Sequence, residues 1–169
     1  MTSPIIIKDV ANYQWSVLNT YSKVFVLVDE NTLKHCYPLL QTFLPPHQLI
    51  EIASGELNKN LGTCSFIWST LTKEKADRNA LLINLGGGVI GDMGGFCAVS
   101  YKRGIDFVQI PTTLLSQVDA SVGGKLGVDF MGFKNQIGAF GFAKEVIIVT
   151  VFLKTLEKRQ LYSGWAEII

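Results

Sequence analysis

The chain has 169 residues, of which 48% are hydrophobic and 17% are Asp, Glu, Lys or Arg. This length and composition suit one globular domain with a buried core, and they exclude a disordered chain. Fifteen basic and fourteen acidic residues leave a formal charge of +1, which provides no extended positive field and excludes nucleic acid as the main partner.

Strands and helices are predicted to alternate along the first two thirds of the chain. The apolar residues 24–28 predict a strand, and Asn31 is then expected to cap a helix that continues to about Phe43. The next predicted elements are a strand over residues 48–53, a helix over 64–76, a strand over 80–85, a glycine-rich helix to about 101 and a strand over 106–110. This alternation is typical of an α/β fold with a doubly wound, mostly parallel sheet.

The last third of the chain is less regular. Residues 112–140 combine polar residues with glycines and are predicted to form a functional loop region. A strand is predicted over residues 145–150, and a helix from Phe152 onward. This helical pattern meets no stop signal before the apolar end at Ile169, so we expect a second domain to follow.

The cysteines and the apolar stretches predict an intracellular protein without a membrane partner. Cys36, Cys64 and Cys97 are too widely spaced for a metal motif or a disulfide framework, and we expect buried, reduced thiols in a cytoplasm. The first eight residues do not fit a signal peptide. The richest apolar stretch, residues 80–101, contains polar residues and six glycines, a poor composition for a membrane-spanning helix.

Polar residues and glycines directly follow several predicted strands, and ligands of parallel α/β sheets bind at that edge. Gly86-x-Gly88-x-x-Gly91 matches the turn that holds a dinucleotide pyrophosphate, although a tight turn with close helix packing explains it equally well. Asp106 has the spacing of a ribose-binding acid but begins a strand. Asp29, at a strand's carboxyl end, is therefore the better ribose ligand, and Thr112-Thr113 is expected at the same edge.

The charged residues allow two interpretations. Glu56 and Lys59 are three residues apart and could form an ordinary solvated ion pair on a helix. Asp119, Lys125 and Lys134 lie among glycines and predict one carboxylate and two ammonium groups that bind a phosphate or carboxylate and orient a hydroxyl. Arg103 could add a planar donor for phosphate or be an ordinary surface arginine.

The sequence contains no legible complete zinc site. Catalytic zinc needs about three protein ligands, and the only two histidines, His35 and His47, lie in the first third of the chain. Glu167 could be one ligand of a site completed by another domain, or an ordinary exposed helix glutamate.

Six motifs follow one another in a fixed order: Gly86-Gly-Gly-Val-Ile-Gly-Asp-Met-Gly-Gly-Phe96, Tyr101-x-Arg-Gly104, Pro111-Thr-Thr-Leu-Leu-Ser-Gln-Val-Asp-Ala-Ser-Val-Gly-Gly-Lys125, Lys134-Asn-x-x-Gly-Ala-Phe140, Phe152-Leu-x-Thr-Leu156 and Ser163-Gly-x-Ala-Glu167. Their order and spacing resemble those of the 3-dehydroquinate synthase family. The family converts 3-deoxy-D-arabino-heptulosonate 7-phosphate to 3-dehydroquinate and phosphate in the shikimate pathway, with NAD and a divalent metal, zinc or cobalt.

The resemblance implies a cytoplasmic, homodimeric lyase of aromatic amino acid biosynthesis. It also implies that residues 1–169 form a Rossmann-like NAD-binding domain and that a helical C-terminal domain, absent from this chain, completes the metal and substrate sites.

The resemblance assigns a role to each residue that matches a motif. It implies NAD binding by Asp29, Asn31, Glu56, Lys59, Gly87, Gly88, Val89, Asp92, Thr112, Thr113, Lys134, Phe152, Leu153, Lys154 and Thr155. It implies substrate binding by Asp119, Lys125 and Asn135, and by Arg103, which would reach the phosphate of the neighbouring subunit. Glu167 would be the first metal ligand.

Several residues differ from the family's usual pattern, and two other functions compete with the main one. The differing positions are Ala120, Leu126, 141–143, Val149, Val151 and Gln160, and they concern loop geometry and the lining of the pocket. The first competing function is another sugar-phosphate cyclase of the same superfamily, and the second is a non-catalytic nucleotide-binding module.

Overall fold

Six parallel strands form the central sheet of the protein. The structure, a computed structural model, describes residues 3–121 and 123–168, so the predicted apolar end at Ile169 lies outside it. Its strands are β1 (Ile5–Ile7), β2 (Lys23–Asp29), β3 (Gln48–Ile52), β4 (Ala80–Gly86), β5 (Asp106–Pro111), β6 (Lys125–Phe130), β7 (Phe133–Phe140) and β8 (Glu145–Ile148). The sheet has the order β1-β8-β5-β4-β2-β3, and β6 and β7 form a separate antiparallel hairpin. The predicted α/β class with a mostly parallel sheet is confirmed, and β1, only three residues long, was not predicted.

The helix after β2 starts and ends differently from the prediction. It is split into α1 (Glu30–His35) and α2 (Tyr37–Leu40). The prediction that Asn31 caps it was wrong, because Asp29 is the cap: its Oδ1 accepts from the Thr32 backbone N–H at 2.8 Å. Pro38 lacks a backbone N–H and cannot continue α1, so the helix is interrupted at Cys36 and ends well before Phe43.

The remaining helices are α3 (Leu61–Lys73), α4 (Gly88–Ser100) and α5 (Lys158–Trp165). α3 begins three residues before the predicted start because Asn60 caps it, with Oδ1 accepting from the Thr63 N–H at 3.1 Å. The predicted helix from Phe152 was only partly right. Residues Thr150–Thr155 form a 3-10 helix, and α5 begins after it.

Two apolar layers cover the two faces of the sheet. Alternate residues of β2 divide between them: Phe25 and Leu27 face α3 and α4, whereas Val24, Val26 and Val28 face α1, α2 and Phe152. The three cysteines are buried and free, as predicted. Within residues 3–121 and 123–168, no helix is both long and apolar enough to cross a membrane.

The predicted loop region over residues 112–140 was wrong in its second half, where β6 and β7 pair. This hairpin lies against α4: the Leu126 side chain packs so close to Gly95 that a Cβ there would be 2.4 Å from Leu126 Cδ2. Before it, Ser116–Ala120 forms one π-helical turn. The hairpin thus packs against α4 near the middle of the helix, at Gly95.

Two tyrosines hold carboxylates at the amino-terminal edge of the sheet. The Tyr13 hydroxyl donates to Glu145, the first residue of β8. The Tyr21 hydroxyl donates to Asp106 Oδ2, at the start of β5, at 3.0 Å. Burial, followed by this hydrogen bond, raises the pKa of Tyr21 to about 12. Asp106 therefore belongs to the edge opposite the strand ends, in agreement with its rejection as a ribose ligand.

This tyrosine pKa predicts a loss of stability in alkali. An unfolded tyrosine has a pKa of about 10, so the folded state favours the neutral phenol of Tyr21. Its contribution is fully present below pH ~10 and is lost as the pH rises from ~10 to ~12. Urea unfolding across that range should give a smaller pH dependence for Tyr21→Phe than for the unsubstituted protein, with exposed Tyr162→Phe as control. An equal dependence in all three proteins would contradict the assignment.

Candidate active site

Two cavities lie near the strand ends. The larger cavity, of about 760 Å³, opens where β2, β3, β4 and β5 end. The predicted gathering of strand-end residues at one edge is confirmed, since the turns after these strands line it. Twelve of the residues predicted to bind the cofactor lie in its wall: Asp29, Asn31, Glu56, Lys59, Gly87, Gly88, Val89, Asp92, Thr112, Thr113, Phe152 and Thr155.

Asp29 is held rigidly at the mouth of the larger cavity. Its Oδ1 accepts from the Thr32 backbone N–H, while Thr32 Oγ1 accepts from the Asp29 N–H at 3.0 Å. In the described part of the chain, Asp29 Oδ2 has no hydrogen-bond partner. One carboxylate oxygen thus fixes the side chain, and the other can accept from the hydroxyls of a ribose.

The glycine turn brings the beginning of α4 to the cavity. Gly87 is the N-cap residue and has no side chain to bond the first N–H groups of the helix. A Cβ on Gly87 would lie 3.2 Å from Thr113 Cγ2, and one on Gly86 would lie 2.5 Å from Ile90 Cδ1. The backbone N–H groups at the start of α4 therefore line an open anion site of the kind that binds pyrophosphate.

The Ser54–Glu56 turn is fixed by Glu30, a contact that the sequence analysis missed. Glu30 Oε2 accepts from the Ser54 backbone N–H at 2.9 Å, and Oε1 accepts from its hydroxyl. The Ser54 hydroxyl lowers the pKa of the Glu30 carboxyl, and backbone hydrogen bonds add to the effect. Glu30 thus places Glu56 in the wall of the larger cavity.

Lys59 and Glu56 do not form the predicted helical ion pair. Lys59 is 4% exposed, and its Nζ lies 2.6 Å from Asp92 Oδ2, on α4. Glu56 Oε1 instead lies 3.4 Å from the Nζ of Lys134, which is on β7. Burial raises the pKa of Asp92, whereas the hydrogen bond and charge of Lys59 oppose this rise. Lys59 is therefore a buried partner of the first turns of α4.

A second cavity of about 460 Å³, the smaller cavity, adjoins the first, and Asp92 lines both. Three of the four predicted substrate residues, Asp119, Lys125 and Asn135, lie in its wall. Asp119 is exposed on the π-helical turn, whereas Lys125 begins β6 and Asn135 lies in β7. The structure thus brings together one carboxylate, one ammonium group and one amide from three separate segments.

Five of the predicted site residues line neither cavity. Lys134 pairs with Glu56, which lines the larger cavity. Leu153 and Lys154 lie in the chain between Phe152 and Thr155, which line the same cavity. Arg103 lies in the turn before β5, at the opposite edge of the sheet. Glu167 is exposed in the turn after α5. Among residues 3–121 and 123–168, no group of three or more His, Cys, Asp or Glu side chains could hold a metal ion.

The larger cavity also contains residues that the sequence analysis did not assign. They are Thr32, His35, Cys36, Ser54, Gly55, Ile90, Leu115, Leu156, Glu157 and Gln160. Thr32 could have been found, because Asp29 and a threonine three residues later form a helix-capping pattern. Among the atypical positions, Gln160 lines this cavity, Leu126 lines the smaller one, and Val149 is buried in the core. The structure does not describe the Ala120 side chain.

A family model matches residues 49–163 of the chain and describes the amino-terminal part of 3-dehydroquinate synthase. The chain belongs to this family. Curated family members include 3-dehydroquinate synthases from Parabacteroides distasonis, 43% identical over 98% of this chain, and from Sulfurovum, 56% identical over 77% of it. The chain spans 48% and 39% of their respective lengths.

Solved structures have the same fold as this family member. A 2-epi-5-epi-valiolone synthase from Streptomyces hygroscopicus, with NAD+ and Zn2+ bound, is 28% identical with a TM-score of 0.89, and the match covers 99% of this chain and 48% of that one. A 2-deoxy-scyllo-inosose synthase complexed with carbaglucose-6-phosphate, NAD+ and Co2+ is 20% identical with a TM-score of 0.85, over 99% of this chain and 50% of that one. The second likeness concerns the fold alone.

Proposed function

We propose that the full-length protein carrying this chain is a 3-dehydroquinate synthase. It would convert 3-deoxy-D-arabino-heptulosonate 7-phosphate to 3-dehydroquinate and phosphate, as a carbon–oxygen lyase of the cytoplasm. The observation that carries this proposal is the pair of adjoining cavities that share Asp92. One has the lining of a dinucleotide site, and the other collects the charged and polar groups that an anionic sugar needs.

The residues of the larger cavity fit NAD. The free Asp29 oxygen would accept from ribose hydroxyls, the amino-terminal N–H groups of α4 would donate to the pyrophosphate, and Thr112 and Thr113 would complete the wall. Bound NAD would supply reversible removal of a hydride from a substrate carbon that carries a hydroxyl, whose proton leaves separately. The neutral, glycine-lined turn leaves room for the cofactor to approach the backbone, and Asp92 lies between this cavity and the substrate.

The residues of the smaller cavity fit the anionic sugar. The Lys125 ammonium group would hold a phosphate or carboxylate as a point charge, Asp119 would orient a hydroxyl or water, and Asn135 would hydrogen-bond the sugar. Arg103 lies at the far edge and would act on the substrate of a neighbouring subunit in a homodimer. These groups bind and orient, and the protein positions their charges before the substrate arrives.

The described residues include no group of three or more His, Cys, Asp or Glu side chains that could hold a metal ion. Glu167 would supply one ligand for a divalent ion such as zinc or cobalt. The other ligands would come from a helical domain that follows the NAD-binding domain of residues 1–169.

The proposal is tested by measuring phosphate release from two sugar phosphates by the full-length protein, together with calorimetric NAD titration. We expect turnover of 3-deoxy-D-arabino-heptulosonate 7-phosphate and saturable NAD binding. Turnover of sedoheptulose 7-phosphate alone would instead support a related cyclase, a candidate that the 28% identity to 2-epi-5-epi-valiolone synthase keeps open. NAD binding without turnover of either sugar would support a non-catalytic nucleotide-binding module.

A further inference from the structure

A single buried lysine connects the two cavities. Lys59 lines the larger cavity, Asn135 lines the smaller one, and Asp92 lines both. Lys59 Nζ donates to Asp92 Oδ2 at 2.6 Å and to Asn135 Oδ1 at 2.6 Å. The ammonium group therefore joins a residue of α4 to a residue of the hairpin.

The backbone around Lys59 holds the same part of the hairpin. The Lys59 carbonyl accepts from the Asp129 N–H at 2.8 Å, and Asp129 Oδ1 accepts from the Asn135 N–H at 2.8 Å. The location of Asn135 in β7 is thus tied to Lys59 directly and through Asp129.

The strand pairing is irregular at this point. Val128 pairs with Ile137 and Phe130 with Phe133, so three residues of β7 lie opposite Asp129 alone. Asn135 is the middle one of the three and has a φ of 50°, a left-handed conformation that asparagine tolerates better than most residues. Such a bulge turns a side chain out of the regular alternation, and here the Asn135 amide meets the buried ammonium group.

The chemistry of the contact determines which end of the amide remains available. An ammonium group has three donors and no acceptor, so it must bind the amide oxygen of Asn135 and not its nitrogen. The two N–H groups of the same amide are then left for an acceptor in the smaller cavity. A rotated amide would place a donor against the Lys59 ammonium and leave the oxygen for the ligand.

We infer that Lys59 is a positioning residue that holds the Asn135 amide oxygen and thereby directs the amide N–H groups at an acceptor oxygen of the sugar phosphate. This inference rests on the function proposed above. It gives Lys59 an effect on the substrate in addition to its place in the wall of the cofactor cavity. It also explains why a lysine whose side chain is almost fully buried reaches between α4 and β7.

The orientation can be measured without substrate. In full-length protein labelled with 15N-asparagine, the Asn135 side-chain amide is the pair of signals that Asn135→Asp removes. Lys59→Met should shift both amide protons and speed their exchange with water, whereas Lys144→Met, at the opposite edge, should leave them unchanged. Unaltered Asn135 signals in Lys59→Met would overturn the inference.

A second variant tests the same inference without leaving an unpaired buried charge that could disturb folding. Lys59→Met leaves the Asp92 carboxylate buried without its cation, which is strongly unfavourable. Combining Lys59→Met with Asp92→Asn removes that charge, and the same shift of the Asn135 signals is expected. Asn135 signals that keep their native positions in this double variant would likewise overturn the inference.

The kinetic measurement tests whether the orientation serves the substrate. Lys59→Met should raise KM for the sugar phosphate about 10- to 100-fold, and Lys59→Arg should recover part of this loss. In an Asn135→Ala background, Lys59→Met should raise KM no further, because Lys59 acts through Asn135. Fully additive effects would overturn the inference. No phosphate release by the unsubstituted protein, with the amide shifts intact, would contradict the proposed function and leave the Lys59–Asn135 orientation standing.

Discussion

In the full-length protein, Lys125→Ala is expected to lower turnover of the sugar phosphate by about 100-fold or more and to leave NAD affinity near normal. Lys125 provides the ammonium group of the smaller cavity, next to Asp119 and Asn135. Its removal takes away the positive charge that we propose holds an anionic group of the substrate in place. Lys125 does not line the larger cavity, so the NAD site should be intact.

Phosphate release measures the turnover, and calorimetric titration measures the NAD dissociation constant. Lys144→Ala is a matched control, because Lys144 is an exposed lysine that pairs with Asp106 at the opposite edge of the sheet. It should retain normal turnover. Normal turnover by Lys125→Ala, or a parallel loss of NAD affinity, would refute the separation of the two sites.

Gly94→Ala should lower the free energy of unfolding by about 2–3 kcal/mol, although alanine ordinarily stabilises a helix relative to glycine by about 1 kcal/mol. A Cβ at this position of α4 would lie 2.1 Å from Asn84 Oδ1 and 2.8 Å from Leu27 Cδ2. The Asn84 side chain is 1% exposed on β4. The sheet and helix would have to separate, or both buried side chains would have to move.

Urea unfolding of the unsubstituted protein, Gly94→Ala, Gly91→Ala and the double variant Gly94→Ala/Asn84→Ala checks this result. Gly91→Ala is the control in the same helix, because its Cβ would meet Gln109 Oε1 at 3.3 Å and needs only a small adjustment. Adding Asn84→Ala to Gly94→Ala should restore much of the lost stability, since it removes the obstructing atoms. It also removes an amide whose two polar atoms have no hydrogen-bond partner within the described residues. Equal stability of Gly94→Ala and the unsubstituted protein would disprove the close approach.

The central strands could be predicted because their sequences are governed by burial. Residues 24–28 and 80–85 are buried on both faces of the sheet, so they appear as continuous apolar runs. The edge that forms the site followed from this arrangement, because parallel strands place their carboxyl ends together. That reasoning located Asp29, the glycine turn and Thr112-Thr113 correctly.

The hairpin was not recognised because the short alternation of Leu126, Val128 and Phe130 in β6 lies among glycines and polar residues. A Cβ on Gly138 would lie 2.2 Å from the Leu126 carbonyl oxygen, and one on Gly127 would lie 3.0 Å from that of Ile137. Close contact between the two backbones therefore requires the residues that make this segment look like a loop. Glycine has no side chain to pack, so it weakens the usual signal of a strand.

The contacts of Lys59 could not be predicted because local spacing cannot reveal a distant partner. The spacing to Glu56 predicted a helical pair, yet the buried ammonium group contacts residues 33 and 76 positions away in sequence. Spacing describes neighbours on one element, whereas a buried charge selects whichever carboxylate the fold brings within reach. The resemblance placed Lys59 in the cofactor site but said nothing of its bond to Asn135.

The pairing of β1 with β8 affects how the protein emerges from the ribosome. Partners such as Ile5 and Val146 are separated by about 140 residues. At a synthesis rate of about 5–20 residues per second, the first strand waits on the order of ten seconds before its partner is made. β2, β3, β4 and β5 can pair earlier, because their residues lie between 23 and 111. The nascent chain thus completes its sheet last at the β1 edge, and until then the backbone N–H and C=O groups of β1 have no strand partner.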